Sequence, residues 1–176
     1  MDDRRARFEA QALPHLDAAA NLARWLTRSG ADADDIVQEA MLRAYRSFDG
    51  FRGGDMRPWL LTIVRNCWRN VGADSRRRGH VPLPEEANGV EIAFDGVSPE
   101  EGAIRSDEGR KLDAVIATLP EEFRTVLVLR ETEDLSYREI AAVCEVPIGT
   151  VMSRLARARA MLREKWMGTE GARHVV

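Results

Sequence analysis

The chain has only two cysteines and three histidines among its 176 residues, and each scarcity excludes a class of chemistry. Cys67 and Cys144 each fall on an apolar helical stripe, while His15, His80 and His174 are scattered, so no metal-ligand spacing emerges and both cysteines read as buried thiols. No apolar stretch approaches the roughly twenty residues needed to span a membrane. The start, Met1 to Arg7, leads into no signal-peptide core, which points to a cytoplasmic protein without membrane insertion. Strand-forming runs are also few. No nucleophile, base and orienting group share a recognisable spacing, so an enzyme is the weakest reading and neither cofactor nor metal is expected. Length and apolar content suit one or two small all-α domains.

A pattern is present near the C-terminus. Ser136, followed three residues later by Glu139, forms a capping box that fixes a helix start. Ile140, Ala141 and Val143 face inward, Val146-Pro147 closes a turn that proline cannot extend as helix, and Gly149-Thr150 opens a second helix. There Val151, Leu155, Ala158 and Leu162 form a buried stripe, leaving Ser153, Arg154, Arg157 and Arg159 largely outside it. The bland reading is an amphipathic hairpin with a solvated arginine face. The agreement of cap, small residue, turn and basic face favours a helix-turn-helix that enters a major groove, where arginine grips guanine.

Net charge is −3, awkward for a protein that binds DNA unaided. The charge is segregated, however. Between Arg57 and Gly79 six arginines (Arg57, Arg65, Arg69, Arg76, Arg77, Arg78) face Asp74 alone, whereas Pro84 to Glu101 holds six acids (Glu85, Glu86, Glu91, Asp95, Glu100, Glu101) and no base. Pro82, Pro84, Pro99 and several glycines make the segment from Arg76 to about Ser106 a linker. Its acids read as a solubilising spacer or, more sharply, as a nucleic-acid mimic.

Ahead of the linker, Ile36, Val37, Ala40, Met41, Ala44, Tyr45 and Phe48 trace one broad helical face, with Asp32, Asp34 and Asp35 at the helix start. Asp35, Gln38, Glu39, Arg43 and Arg46 fall on the opposite side. A glycine-rich loop, Phe48 to Asp55, precedes a second helix with Pro58 in its first turn and Trp59, Leu60, Ile63, Val64, Cys67, Trp68 and Val71 on its apolar side. Arg65, Asn66, Arg69 and Asn70 project elsewhere, a surface suited to single-stranded nucleic acid. Trp59 and Trp68 could stack on bases, but their stripe positions favour core packing.

These residues resemble the extracytoplasmic-function sigma factors of bacterial RNA polymerase. Asp34-Asp35-Ile36-Val37-Gln38-Glu39-Ala40-Met41-Leu42-Arg43-Ala44-Tyr45, followed by Phe51-Arg52-Gly53 and Trp59-Leu60, is similar to the family's region two; Leu119-Pro120-Glu121-Glu122-Phe123-Arg124 and Leu135 to Leu162 are similar to its region four. The resemblance implies a region 2-like bundle over 1–78, an acidic flexible linker over 79–106, a region 4-like helix-turn-helix domain over 107–168 and a tail over 169–176. It implies binding to core RNA polymerase (beta and beta-prime subunits) through Asp35, Gln38, Glu39, Arg43 and Arg46. Capture of melted minus-10 DNA would fall to Arg52, Asp55, Met56, Arg57, Arg65, Asn66, Arg69, Asn70, Arg76 and Arg77. The minus-35 duplex would be read by Arg138, Thr150, Met152, Ser153, Arg154, Ala156, Arg157 and Arg159. Many relatives carry a basic residue where this chain has Met152, and some a larger side chain where it has Ala156, which leaves Arg157 as the foremost base contact. Control by an anti-sigma factor is implied as well. Two other readings compete: a sigma-like protein that titrates an anti-sigma partner, and a stand-alone helix-turn-helix regulator.

Overall fold

The computed structural model describes residues 3–77 and 106–171, with side chains through residue 73 in the first segment and residue 168 in the second. The acidic stretch from Glu85 to Glu101 lies outside the described residues, as do the side chains of Arg76 and Arg77. The described residues are helical, and no strand occurs among them. In the N-terminal half run α1 (Asp3–Ala12), α2 (Leu16–Thr27), α3 (Gly30–Ser47) and α4 (Met56–Arg77). The C-terminal half contributes α5 (Asp107–Ala117), α6 (Glu121–Glu131), α7 (Tyr137–Cys144) and α8 (Ile148–Gly171).

Local chemistry sets the helix ends. Ser29 caps α3 by accepting from the Asp32 amide, and Ser106 caps α5 by accepting from the Gly109 amide. Before α7 the capping box is complete: Glu139 N–H donates to Ser136 Oγ at 3.2 Å, and Ser136 N–H to Glu139 Oε2 at 2.6 Å. α2 and α7 end on left-handed residues that are not glycine, Arg28 (φ 59°) and Glu145 (φ 55°). Between α3 and α4 the backbone does use glycine, at Gly53 (φ 86°) and Gly54 (φ 101°), a conformation that side chains resist.

In the N-terminal half α2, α3 and α4 pack on one another through Leu22, Leu26, Ile36, Ala40, Ala44, Leu60, Leu61 and Val64. Phe8 of α1 closes one end, meeting Tyr45 and Phe48 edge-on at 5.3 and 5.4 Å. In the C-terminal half α6 is central. Arg124 through Leu129 are all buried, so this helix shows no clean apolar stripe because it has neighbours on every side.

The two halves meet directly, which the sequence does not announce. α2 lies against α6 and α4 against α7, so one apolar core runs from Phe8 to Leu155, and Trp25 packs with Ala117 and Val128. Arg124, buried in this joint, donates to Trp25 O (3.0 Å), Leu119 O (2.8 Å) and Ala117 O (3.3 Å). Arg28 also donates to Ala117 O. No helix among the described residues is long and apolar enough to cross a membrane.

Candidate functional site

α3 presents the first surface. Its buried side carries Ala33, Ile36, Ala40 and Ala44, which turns Asp35, Gln38 and Arg46 to solvent and leaves Glu39 and Arg43 half-exposed. The last two are paired, Arg43 Nε to Glu39 Oε1 at 2.6 Å, one turn apart. Sequence reading missed Leu42, which is 48% exposed on the same helix. Its signal was available, because Leu42 is a large apolar residue outside the Ala40-Met41-Ala44-Tyr45 stripe.

The second surface comprises the glycine loop and α4. Arg52 and Asp55 are exposed, and the Asp55 carboxylate accepts from the Arg57 amide at 2.9 Å, in the manner of a helix cap. Met56 is 5% exposed and belongs to the core, so it is turned inward, unlike the exposed Arg52, Asp55, Arg69 and Asn70. Asn66 is half-buried, and Arg69 and Asn70 are exposed. Phe51 leans on Trp59 with ring centroids 5.0 Å apart, and both tryptophans, Trp59 and Trp68, pack against the core. Beside this loop lies a cleft of about 260 Å³ lined by Arg7, Gln11, Phe48, Asp49, Phe51 and Gly53.

Three arginines of this surface are engaged by carboxylates of the other half. Arg57 donates from Nη2 to Glu133 Oε2 at 3.0 Å and to the Glu133 carbonyl. The Glu133 side chain is only 7% exposed and also accepts from Asn21 Nδ2 at 2.6 Å. Arg69 Nη1 reaches Glu145 Oε2 at 2.9 Å, and Arg65 approaches the same oxygen at 3.9 Å. Glu133 lies in the connection between α6 and α7, and Glu145 in the turn of the helix-turn-helix. These acids could not be found from sequence, since partners 76 residues apart in the chain leave no periodic signal.

The third surface is the exposed side of α8. Of the stripe read from the sequence, Val151, Leu155 and Ala158 are buried and Leu162 is half-buried, whereas Met152, Ser153, Ala156, Arg157 and Arg159 are exposed, and Arg138 is exposed on α7. Thr150 is half-buried, its carbonyl accepting from Ser153 Oγ at 3.0 Å. Arg154 is tied to Glu122 (3.1 Å) and Arg159 to Glu131 (2.7 Å). Arg157 makes no hydrogen bond or ion pair among the described residues.

Cys67 and Cys144 are both buried free thiols. Burial pushes both thiol pKa values up, against the opposing pull of Arg43 on Cys67 and of Arg65 and Arg154 on Cys144. The folded state therefore favours the protonated thiol. That contribution to stability is fully present below the ordinary thiol pKa and is lost as pH climbs through the raised one. At pH 8 the native chain should resist iodoacetamide while urea-unfolded chain is labelled at both positions, as mass spectrometry would read. Rapid native labelling of Cys144 would mean that the α4–α7 joint opens readily.

Residues 13–78 match the family model Sigma-70 region 2, and residues 109–162 match Sigma-70, region 4. The chain is 37% identical over 150 residues to the ECF RNA polymerase sigma-E factor of Haemophilus influenzae, covering 82% of this chain and 78% of that relative. It is 37% identical over 143 residues to the ECF RNA polymerase sigma-E factor of Escherichia coli K12, covering 76% and 73%. Among solved structures it resembles the sigma factor RpoE of Bartonella quintana, crystallised with the anti-sigma factor NepR, at a TM-score of 0.67 and 25% identity over 90% of this chain and 95% of the other.

Proposed function

The chain belongs to the extracytoplasmic-function sigma factors of RNA polymerase, and from that premise we propose how its three surfaces divide the work of promoter-specific initiation. The exposed face of α3, with Asp35, Gln38, Glu39, Arg43, Arg46 and Leu42, docks on core polymerase. The glycine loop and α4 hold melted minus-10 DNA, the cleft beside Phe51 receiving an unstacked base while Arg52, Arg57, Arg65, Asn66, Arg69 and Asn70 follow the strand. α8 enters the major groove of the minus-35 duplex. The protein performs no catalysis of its own; polymerase supplies the chemistry and much of the backbone contact. That division accommodates the net negative charge.

One observation carries this reading: a capped helix-turn-helix with an unengaged Arg157 shares a chain with a helical bundle whose arginines line a separate surface. Because Arg57, Arg65 and Arg69 are held by Glu133 and Glu145, promoter capture requires the halves to part. An anti-sigma factor that holds the halves together would keep these arginines engaged; the Bartonella relative was crystallised with an anti-sigma factor.

Run-off transcription with purified core polymerase tests the assignment. A promoter-specific transcript that depends on α3 is expected, and Asp35→Ala with Glu39→Ala should abolish it. A chain that binds duplex DNA but neither polymerase nor promoter-specific transcription would be a stand-alone regulator. A chain that binds only an anti-sigma protein would be a decoy. Arg157→Ala is expected to lower the transcript roughly 5- to 150-fold at limiting holoenzyme, the worth of about 1–3 kcal/mol for one bidentate base contact. Its affinity for core polymerase should be unchanged.

A further inference from the structure

A line of apolar side chains runs along the exposed N-terminal part of α8. Ile148 is 42% exposed, Met152 is 54% exposed, and Ala156 is exposed, at successive spacings of four. They are not part of the core stripe, which Val151, Leu155 and Ala158 already fill. Ser153 and Arg157 each follow this line by one residue, so a polar line runs parallel to it. Arg154 and Arg159 are held to the sides by Glu122 and Glu131. What the first three turns of α8 offer to a groove is therefore one unengaged guanidinium, one exposed hydroxyl and a strip of methyl-bearing carbon.

The occupant that suits this combination is duplex DNA. The unpaired guanidinium of Arg157 beside the strip favours a polyanion over an apolar protein helix. On the floor of the major groove the one apolar group that a base presents is the thymine C5-methyl, and guanine presents the paired acceptors that arginine needs. Resting on the minus-35 reading above, we propose that Met152 and Ala156 are specificity-determining residues that contact thymine methyl groups within one or two base pairs of the guanine gripped by Arg157. The element preferred by this chain is then a guanine accompanied by thymines. The spacing fits, since four residues of helix rise about 6 Å and stacked base pairs in one strand repeat about every 3.4 Å.

The test uses core polymerase, the full chain and a promoter library randomised over the minus-35 positions. Enriched sites should carry thymine near a fixed guanine. Replacing that thymine by deoxyuridine removes only the methyl and should weaken holoenzyme binding about three- to fourfold, as burial of one methylene-sized group implies. In Met152→Ala, whose site is exposed and helix-compatible, the penalty should shrink to within twofold of none. Enriched sites without thymine, or a deoxyuridine penalty equal in the two proteins, would overturn the proposal while leaving the initiation role intact. Absence of any promoter-specific transcript would overturn the initiation role and the proposal together. Capture of a protein rather than duplex DNA by the Met152 strip would overturn the proposal alone.

Discussion

Glu133→Gln should raise the affinity of the isolated chain for a single-stranded minus-10 oligonucleotide roughly 30- to 150-fold. The estimate comes from about 2–3 kcal/mol for a buried hydrogen-bonded charge pair that loses one charge. Glu133 is nearly enclosed and accepts from both Arg57 and Asn21, so it is where the clasp between the halves is least screened by water. Glutamine keeps an acceptor for Asn21 but leaves the Arg57 guanidinium without its counter-charge. Because the competent form is the open one, apparent affinity rises in proportion to the open fraction. The slope of log affinity against log salt should steepen as released arginines meet phosphates. Fluorescence anisotropy reads both quantities. The half-exposed Glu145 pair contributes no more than about 1 kcal/mol, so Glu145→Gly, at a backbone position that suits glycine, should raise affinity by at most about fivefold. Unchanged oligonucleotide affinity in Glu133→Gln, with an unchanged melting transition, would mean that the clasp does not restrain DNA binding.

Arg124→Leu is expected to destabilise the chain by about 3–5 kcal/mol, a large share of the 5–15 kcal/mol typical of a domain. The guanidinium is buried and donates to the ends of α2 and α5 and to Leu119, so leucine leaves three carbonyl oxygens without that donor in an apolar joint. Urea denaturation followed by circular dichroism gives the loss directly. Two transitions in place of one would show that Arg124 also holds the halves together, since Trp25 belongs to the N-terminal half and the other carbonyls to the C-terminal half.

What the sequence discloses and what it conceals divide along contact range. The capping box at Ser136 and Glu139 and the stripe Val151-Leu155-Ala158 are local patterns, and the structure contains each of them. The burial of both cysteines and the core packing of Trp59 and Trp68 follow from the same periodicity. Met56 misleads for a local reason: it sits where a glycine loop becomes a helix, and neither period applies at such a junction. The acids Glu122 and Glu131, which hold Arg154 and Arg159, belong to α6, and each is separated from its arginine by a whole helix and two turns. The clasp is concealed most fully. Nothing in the composition of α4 distinguishes an arginine that meets phosphate from one that meets Glu133. Tertiary docking alone decides it.

The position of Glu133 has a consequence for timing. It lies in the short connection that feeds α7, two residues before the buried Leu135 and three before the Ser136 cap. Whatever unseats this carboxylate loosens the entry to the helix-turn-helix at the same instant that it liberates Arg57. Release of Arg57 is thereby tied to the packing at the entry of the helix-turn-helix, whereas the exposed face of α8 needs no such release.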